Sequence, residues 1–291
     1  MPRTIESLPL GAKIRFGSYC VENEGAHSIR WIKMNSYDTV FLTEFIEDFR
    51  AFDSREPDNI IQDRRDYGNN RYSVSNIDQF LNSSKENNWY APQHYTDTPP
   101  TNGFVSDRTS YLEHPGFLAY FTKAEIDAII PIDINVALSD YDKEEQGYEK
   151  ITRRVFLPSV QNVFGTYRHT VPGDEMWEYF KNESTVSTCT KEAIDNSALG
   201  SGKPEPQDDW YYWLRTPKVN SPQCVMYADH QGDYDWFSAY SGLIGIRPAL
   251  VISPEILVTD EPDEDGYYDT LLSSNESENV SEEDFLSTLL V

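Results

Sequence analysis

Residues Trp210–Ser253 read WYYWLRTPKVNSPQCVMYADHQGDYDWFSAYSGLIGIRPALVIS, two apolar blocks around a segment of different character. The first block, Trp210–Pro217, alternates bulky aromatic and aliphatic residues and stops at a proline. The second, Gly245–Ile252, ends in Val251 and Ile252, β-branched residues that suit a pleated, half-buried strand. It is expected to form one central strand, with Pro248, which cannot donate to a ladder, at a bulge or on an unpaired side. Between the blocks Tyr227, Tyr234, Trp236, Phe237 and Tyr240 alternate irregularly with Ser, Gly, Asp, His and Gln. No period of two or of 3.6 persists, which predicts loops around a short strand at Val225–Tyr227.

A loop of Tyr, Ser, Gly and Asp has the composition of an antibody paratope, where rigid aromatics give contact area at low entropic cost. The competing reading turns these aromatics inward as a minor core. The interleaved polar groups would be hard to satisfy indoors, which favours a binding surface. The candidate ligand contacts are Gln223, Met226, Tyr227, Asp229, His230, Asp233, Tyr234, Trp236, Phe237 and Tyr240, with at least three of the five large aromatics exposed on one face. Arg215 and Arg247 lie inside the apolar blocks. Either they reach the ligand or they brace the loop base through backbone carbonyls or Asp208 and Asp209; guanidinium forks suit the second role.

The blocks YYWLRTP and GIRPAL resemble the C-terminal signature of an uncharacterised bacterial and phage domain family, with a WWLRSP-like block and a terminal G(V/I)RPAL strand. The likeness continues through RFGSY (Arg15–Tyr19), IRWIKM (Ile29–Met34), YGNNRYSVSNIDQFLN (Tyr67–Asn82), NWYAPQH (Asn88–His94), YLEHPGFL (Tyr111–Leu118) and RRVFLPS (Arg153–Ser159). That family is similar to the C-type-lectin-like fold of formylglycine-generating enzymes and of the variable proteins of diversity-generating retroelements. The resemblance implies an α+β fold of short antiparallel sheets, few helices and long loops. It also implies that the loop before the last strand contacts a ligand.

Composition narrows the alternatives. A net charge of −25 over 291 residues argues against nucleic acid, because polyanion binding needs a basic face. Cys20, Cys189 and Cys224 form no CxxC and allow at most one disulfide. The N-terminus lacks a signal-peptide core and no apolar run reaches membrane-spanning length, so cytoplasmic synthesis without membrane insertion is expected, with virion association open. After Pro254 every charged side chain is acidic, with twelve carboxylates between Glu255 and Asp284. Residues 1–254 therefore read as one ligand-binding domain and 255–291 as a largely disordered acidic tail, ending in a possible docking helix at Ser281–Leu290 for a protein partner.

Shorter signals place other elements. Lys13–Phe16, Ile29–Met34 and Thr39–Phe45 read as strands. Val74, Ile77, Phe80 and Leu81 have helical spacing behind Ser73 or Ser75 as cap, and Thr122 with Glu125 forms a capping box. Residues 83–116 read as a long irregular insertion. No HExxH, GxSxG or GxGxxG occurs, and Gly200-Ser-Gly-Lys203 is followed by Pro204 where a phosphate loop needs Ser or Thr. Glu205–Asp209 and Glu56–Asp58 are the nearest candidates for calcium, yet neither continues into a lectin-type Trp-Asn-Asp element. His27, His94, His114, His169 and His230 are scattered; His94 and His114 flank the insertion and could meet. No cofactor, metal site or catalytic residue is expected. A non-catalytic binding module leads, and an enzyme with chemistry between the 83–116 insertion and the 223–244 loop is the alternative.

Overall fold

The computed structural model describes residues 1–20, 25–106, 110–143, 145–166, 171–197, 199 and 202–272. Strands β1 (Arg3–Thr4), β2 (Lys13–Tyr19), β3 (His27–Lys33), β4 (Val40–Thr43) and β5 (Asp48–Phe49) precede helices α1 (Gln62–Tyr67) and α2 (Asn76–Leu81). After the insertion come α3 (Lys123–Ala128), β6 (Ile132–Ala137), β7 (Tyr148–Arg153), β8 (Val155–Phe156), α4 (Val160–Phe164) and α5 (Lys191–Asn196). The last third holds β9 (Tyr212–Pro217), β10 (Cys224–Ala228), β11 (Tyr234–Ser238), β12 (Gly245–Ile246), β13 (Ala249–Val251), β14 (Leu257–Val258) and β15 (Tyr267–Asp269). With only 17% of residues helical and the strands short, the architecture is mixed α+β.

Local sequence explains the helices. Ser75 caps α2 by accepting from Asp78 N–H at 3.3 Å, and Thr122 with Glu125 completes the capping box of α3. α2 spans six residues, so a short helix carries Ile77, Phe80 and Leu81 into the core. α1 ends at Gly68, whose φ is +83° and ψ 175°, a region essentially reserved for glycine. A Cβ there would stand 2.7 Å from the Asp53 carbonyl oxygen.

Two larger sheets organise the core. One has the order β15-β2-β3-β4-β13-β8, the other β11-β10-β9-β12-β5. Gly245–Ile252 is therefore not one strand: β12 pairs with β5 in the second sheet and β13 with β4 in the first. Arg247 and Pro248 make the crossing. Opposite them the chain from β4 to β5 crosses in the reverse sense, with Phe41 and Leu42 on Leu250 and Ala249, and Asp48 and Phe49 on Ile246 and Gly245. A two-stranded ribbon thus runs through both sheets and bends where Pro248 cannot donate. Within β12, Gly245 leaves room for Ile46, since a Cβ would lie 2.2 Å from Ile46 Cγ2. Ile246, Ala249 and Leu250 are fully buried, whereas Val251 is half-buried.

The expectation of disorder from residue 255 onward is corrected as far as residue 272. β14 pairs with β1, and β15 lies parallel to β2 as the edge of the six-stranded sheet. The reason is electrostatic and aromatic together. Arg15 meets Asp263, Asp265 and Asp269, its guanidinium lies 4.7 Å from the Tyr267 ring centroid, and the Tyr267 hydroxyl donates to Glu44. Carboxylates that repel one another in sequence are neutralised by a cation some 250 positions earlier. The Ser281–Leu290 helix lies outside the described residues. No helix among the described residues is long and apolar enough to cross a membrane.

Candidate functional site

The 223–244 segment is a β-hairpin, where the sequence predicted mostly loop. β10 and β11 pair over five positions, from Cys224 opposite Ser238 to Ala228 opposite Tyr234. The turn is fixed by Asp229, whose Oδ1 accepts from Gln231 and Asp233 N–H at 2.8 and 2.9 Å. Asp229 is thus a turn former first. Asp233 accepts from the N–H of Tyr234 and is exposed, as is His230.

Burial sorts the remaining candidates. Met226 lies opposite Trp236 but is only 4% exposed, so it is a core residue and is removed from the ligand contacts. Tyr234 is half-buried against Phe164 of α4, ring centroids 5.1 Å apart. Trp236 is 44% exposed and Phe237 39%, on successive and therefore opposite faces of β11, the edge strand. Tyr227 and Tyr240 are half-buried, so two large aromatics rather than three are substantially exposed, and they do not share one face. Gln223 is half-buried and accepts from the Ser221 hydroxyl.

The rings around the hairpin form two clusters, one at Tyr211 and one at Tyr240. Tyr211 sits 5.1 Å from Trp210, 5.5 Å from Tyr227 and 5.1 Å from His230, each edge-to-face. Tyr240 packs on Tyr67 at 5.6 Å and lies under the Arg55 guanidinium at 4.8 Å. Burial, then the Asp235 charge opposite it, pushes the Tyr227 hydroxyl up to about 12, so it remains a donor at neutral pH. Tyr211, Tyr67, Asp235 and Lys218 were missed as site residues. Tyr211, Tyr67 and Lys218 come from other segments, and only the pairing of β10 with β9 and the packing of α1 bring them to the hairpin.

Beneath the insertion lies a buried polar network. Glu56 accepts from His94 Nε2 at 2.6 Å and from Asn69 at 3.0 Å. Asp53 accepts from the N–H groups of Asn69 and Asn76, both at 3.0 Å, and Asn76 reaches Asp97. Burial and the neighbouring Glu56 and Asp97 push Asp53 well above the usual carboxylate range. Burial works to raise Glu56, but His94 together with the amides of Asn69 and Asn59 outweighs it and holds that carboxyl below its ordinary value. His94 and His114 do not meet. His114 stands 3.2 Å from Arg50, and burial with that cation drives it down to about 3. The insertion and the hairpin end touch through the backbone, Ser106 N–H to Tyr240 O at 2.9 Å. His169 lies outside the described residues.

Residues 37–254 match a family described as Domain of unknown function (DUF6273). The chain belongs to that family. Searches of curated proteins and of solved structures find no match. The DUF6273 match takes in the hairpin, the sheet-crossing ribbon and the Glu56–His94 network. β1 to β3 and β14 to β15 lie outside it, so the six-stranded sheet is completed by flanking strands.

Within the DUF6273 segment Arg215 and Arg247 both brace backbone. Arg215 Nη1 donates to Leu157 O at 2.8 Å and Asn162 Oδ1 at 2.9 Å, and Nη2 reaches Asp174. Arg247 Nε donates to Thr43 O at 2.8 Å while its guanidinium lies 5.2 Å from the Tyr212 ring. Asp174 takes the place expected of Asp208 and Asp209. Among the described residues no three His, Cys, Asp or Glu side chains gather as a metal site, and Glu56 is committed to His94.

Proposed function

We propose that this chain is a non-catalytic binding module on a C-type-lectin-like scaffold, presenting the 223–244 hairpin to a protein or glycan ligand. The single observation behind the reading is the exposure of Trp236 and Phe237 at successive positions of an edge strand, one on each of its faces. Large rings left in water on a regular strand are surplus to the core and available to be desolvated by a partner, the usual chemistry of a hot spot. Half-buried Tyr227, opposite Asp235 and so on the face of Phe237, extends that side together with its neighbour Tyr211. Asp233, Asp235 and His230 supply polar groups at its rim, suited to sugar hydroxyls or to amide and basic groups of a protein. The hairpin directly precedes the β12–β13 crossing, the position the lectin-like resemblance gives to a ligand loop. A phage or prophage structural or host-interaction protein, virion-associated after cytoplasmic synthesis, fits such a module.

Glycan-array binding and adsorption to whole bacterial cells test the reading, comparing the natural chain with a Trp236→Ala/Phe237→Ala variant. Loss of capture with an unchanged melting temperature supports it. Equal capture by both proteins removes the hairpin as the contact surface. Tail or capsid genes beside the coding sequence would support the phage assignment.

A further inference from the structure

Among the described residues β11 is the longest edge of the two larger sheets, five residues against three in β15 and two each in β5 and β8. Asp235, Trp236 and Phe237 are exposed along it. An exposed edge that carries large rings is a template for pairing with another chain, because its outward N–H and C=O groups have no ladder partner. In β11 those outward donors are already occupied.

The ladder with β10 decides which groups face outward. Asp229 N–H donates to Asp233 O at 2.8 Å and Ala239 N–H to Gln223 O at 2.9 Å, and the five pairs between them keep one register. Hydrogen-bonded and non-bonded pairs alternate in an antiparallel ladder, so Asp235 and Phe237 turn their backbone groups to β10. Tyr234, Trp236 and Ser238 turn theirs to the open side. There Tyr234 N–H donates to Asp233 Oδ1 and Trp236 N–H to Asp235 Oδ1, each at 2.8 Å. Ser238 O accepts from Ser241 N–H at 3.0 Å, in the turn that follows the strand. An incoming strand would have to break both carboxylate hydrogen bonds, and its carbonyl oxygens would otherwise meet Asp oxygens with no proton between them.

We propose that Asp233 and Asp235 close the β11 edge, so that a second copy of this chain cannot add its own β11 as a further strand. The edge is then met through its rings and not through its backbone. Self-association is the readout, so this inference and the ligand reading of the hairpin can fail separately.

Sedimentation equilibrium of the full chain at neutral pH tests it, with folding of each variant checked by circular dichroism. An Asp233→Ala/Asp235→Ala variant uncovers both donors and should self-associate about tenfold or more tightly than the natural chain. Asp233→Asn/Asp235→Asn loses the charges but keeps both Oδ1 acceptors, and should behave as the natural chain does. Adding Trp236→Pro to the Ala pair removes an outward donor without touching the β10 ladder, and should reverse the gain. The single variants Asp233→Ala and Asp235→Ala should each show part of the gain, and they carry the test if the pair does not fold. Any of three results overturns the proposal: no gain in association when the caps are removed, an Asn pair that associates as strongly as the Ala pair, or a gain that survives Trp236→Pro.

Discussion

The Lys218 ammonium stands 3.1 Å from the centroid of the Trp236 ring, so the most exposed aromatic of the hairpin is oriented by a cation from the β9–β10 connection. An exposed cation–π contact contributes about 0.5–1 kcal/mol, enough to hold a ring in one pose without burying it. Trp236→Ala is therefore expected to lower stability by no more than about 1 kcal/mol while costing about 1–3 kcal/mol in ligand capture. Denaturant titration beside a binding isotherm separates the two. A large stability loss would make Trp236 a core residue.

Met226, directly opposite Trp236, should behave in the reverse way. Its side chain is buried, so Met226→Ala is expected to cost about 2–5 kcal/mol of stability through lost transfer energy and a residual cavity. Any change in ligand capture should vanish under conditions where the variant is fully folded.

Gly68→Ala tests the turn after α1. The strained φ and the 2.7 Å approach to Asp53 O act together, and a loss of about 2–4 kcal/mol is expected. Thermal unfolding of the variant is the measurement. A change under about 0.5 kcal/mol would mean that the backbone there relaxes freely.

The Glu56–His94 pair predicts a pH window. Burial lowers His94, but Glu56 more than offsets it, so its folded pKa lies above the ordinary 6.5. Its stabilising contribution is then complete below pH 6.5 and lost as pH rises through the folded value. Glu56 is depressed below 4.5, so its contribution is complete above 4.5 and lost as pH falls through its folded value. The pair should contribute most between those limits, and melting temperature should decline on the alkaline side. His94→Gln should shrink that decline. Part of it should remain, because Glu47 holds His27 up with the same sign.

Truncation after Pro254 is expected to lower the melting temperature by several degrees, because it removes β14, β15 and the Tyr267–Arg15 contact. Arg15→Gln should reproduce part of that loss, and added salt should weaken the remainder of the Arg15 effect. Unchanged melting of the truncated chain would place these strands outside the cooperative fold.

Much of the local structure was legible in the sequence alone. Ser75 and Thr122–Glu125 announce their helices because a cap is a contact between residues three apart. Lys13–Phe16, Ile29–Met34 and Thr39–Phe45 announce strands because burial on a pleated sheet selects side chains within the segment. The bracing role of Arg215 and Arg247 followed from the cost of burying a guanidinium, although the partner Asp174 did not. What the tertiary structure alone decided depends on distant neighbours. Composition made Met226 and Trp236 equal candidates, and only the packing over β10 buries one and leaves the other in water. GIRPALVI reads as a continuous strand, yet the pairing of its halves with β5 and β4 splits it between two sheets. The acidic residues after Pro254 repel one another in sequence, and only the fold brings them Arg15, Tyr267 turned toward it, and the open edge of β2. A sequence window reports the chain's preferences over a few residues, whereas burial, pairing and charge compensation belong to contacts made across hundreds.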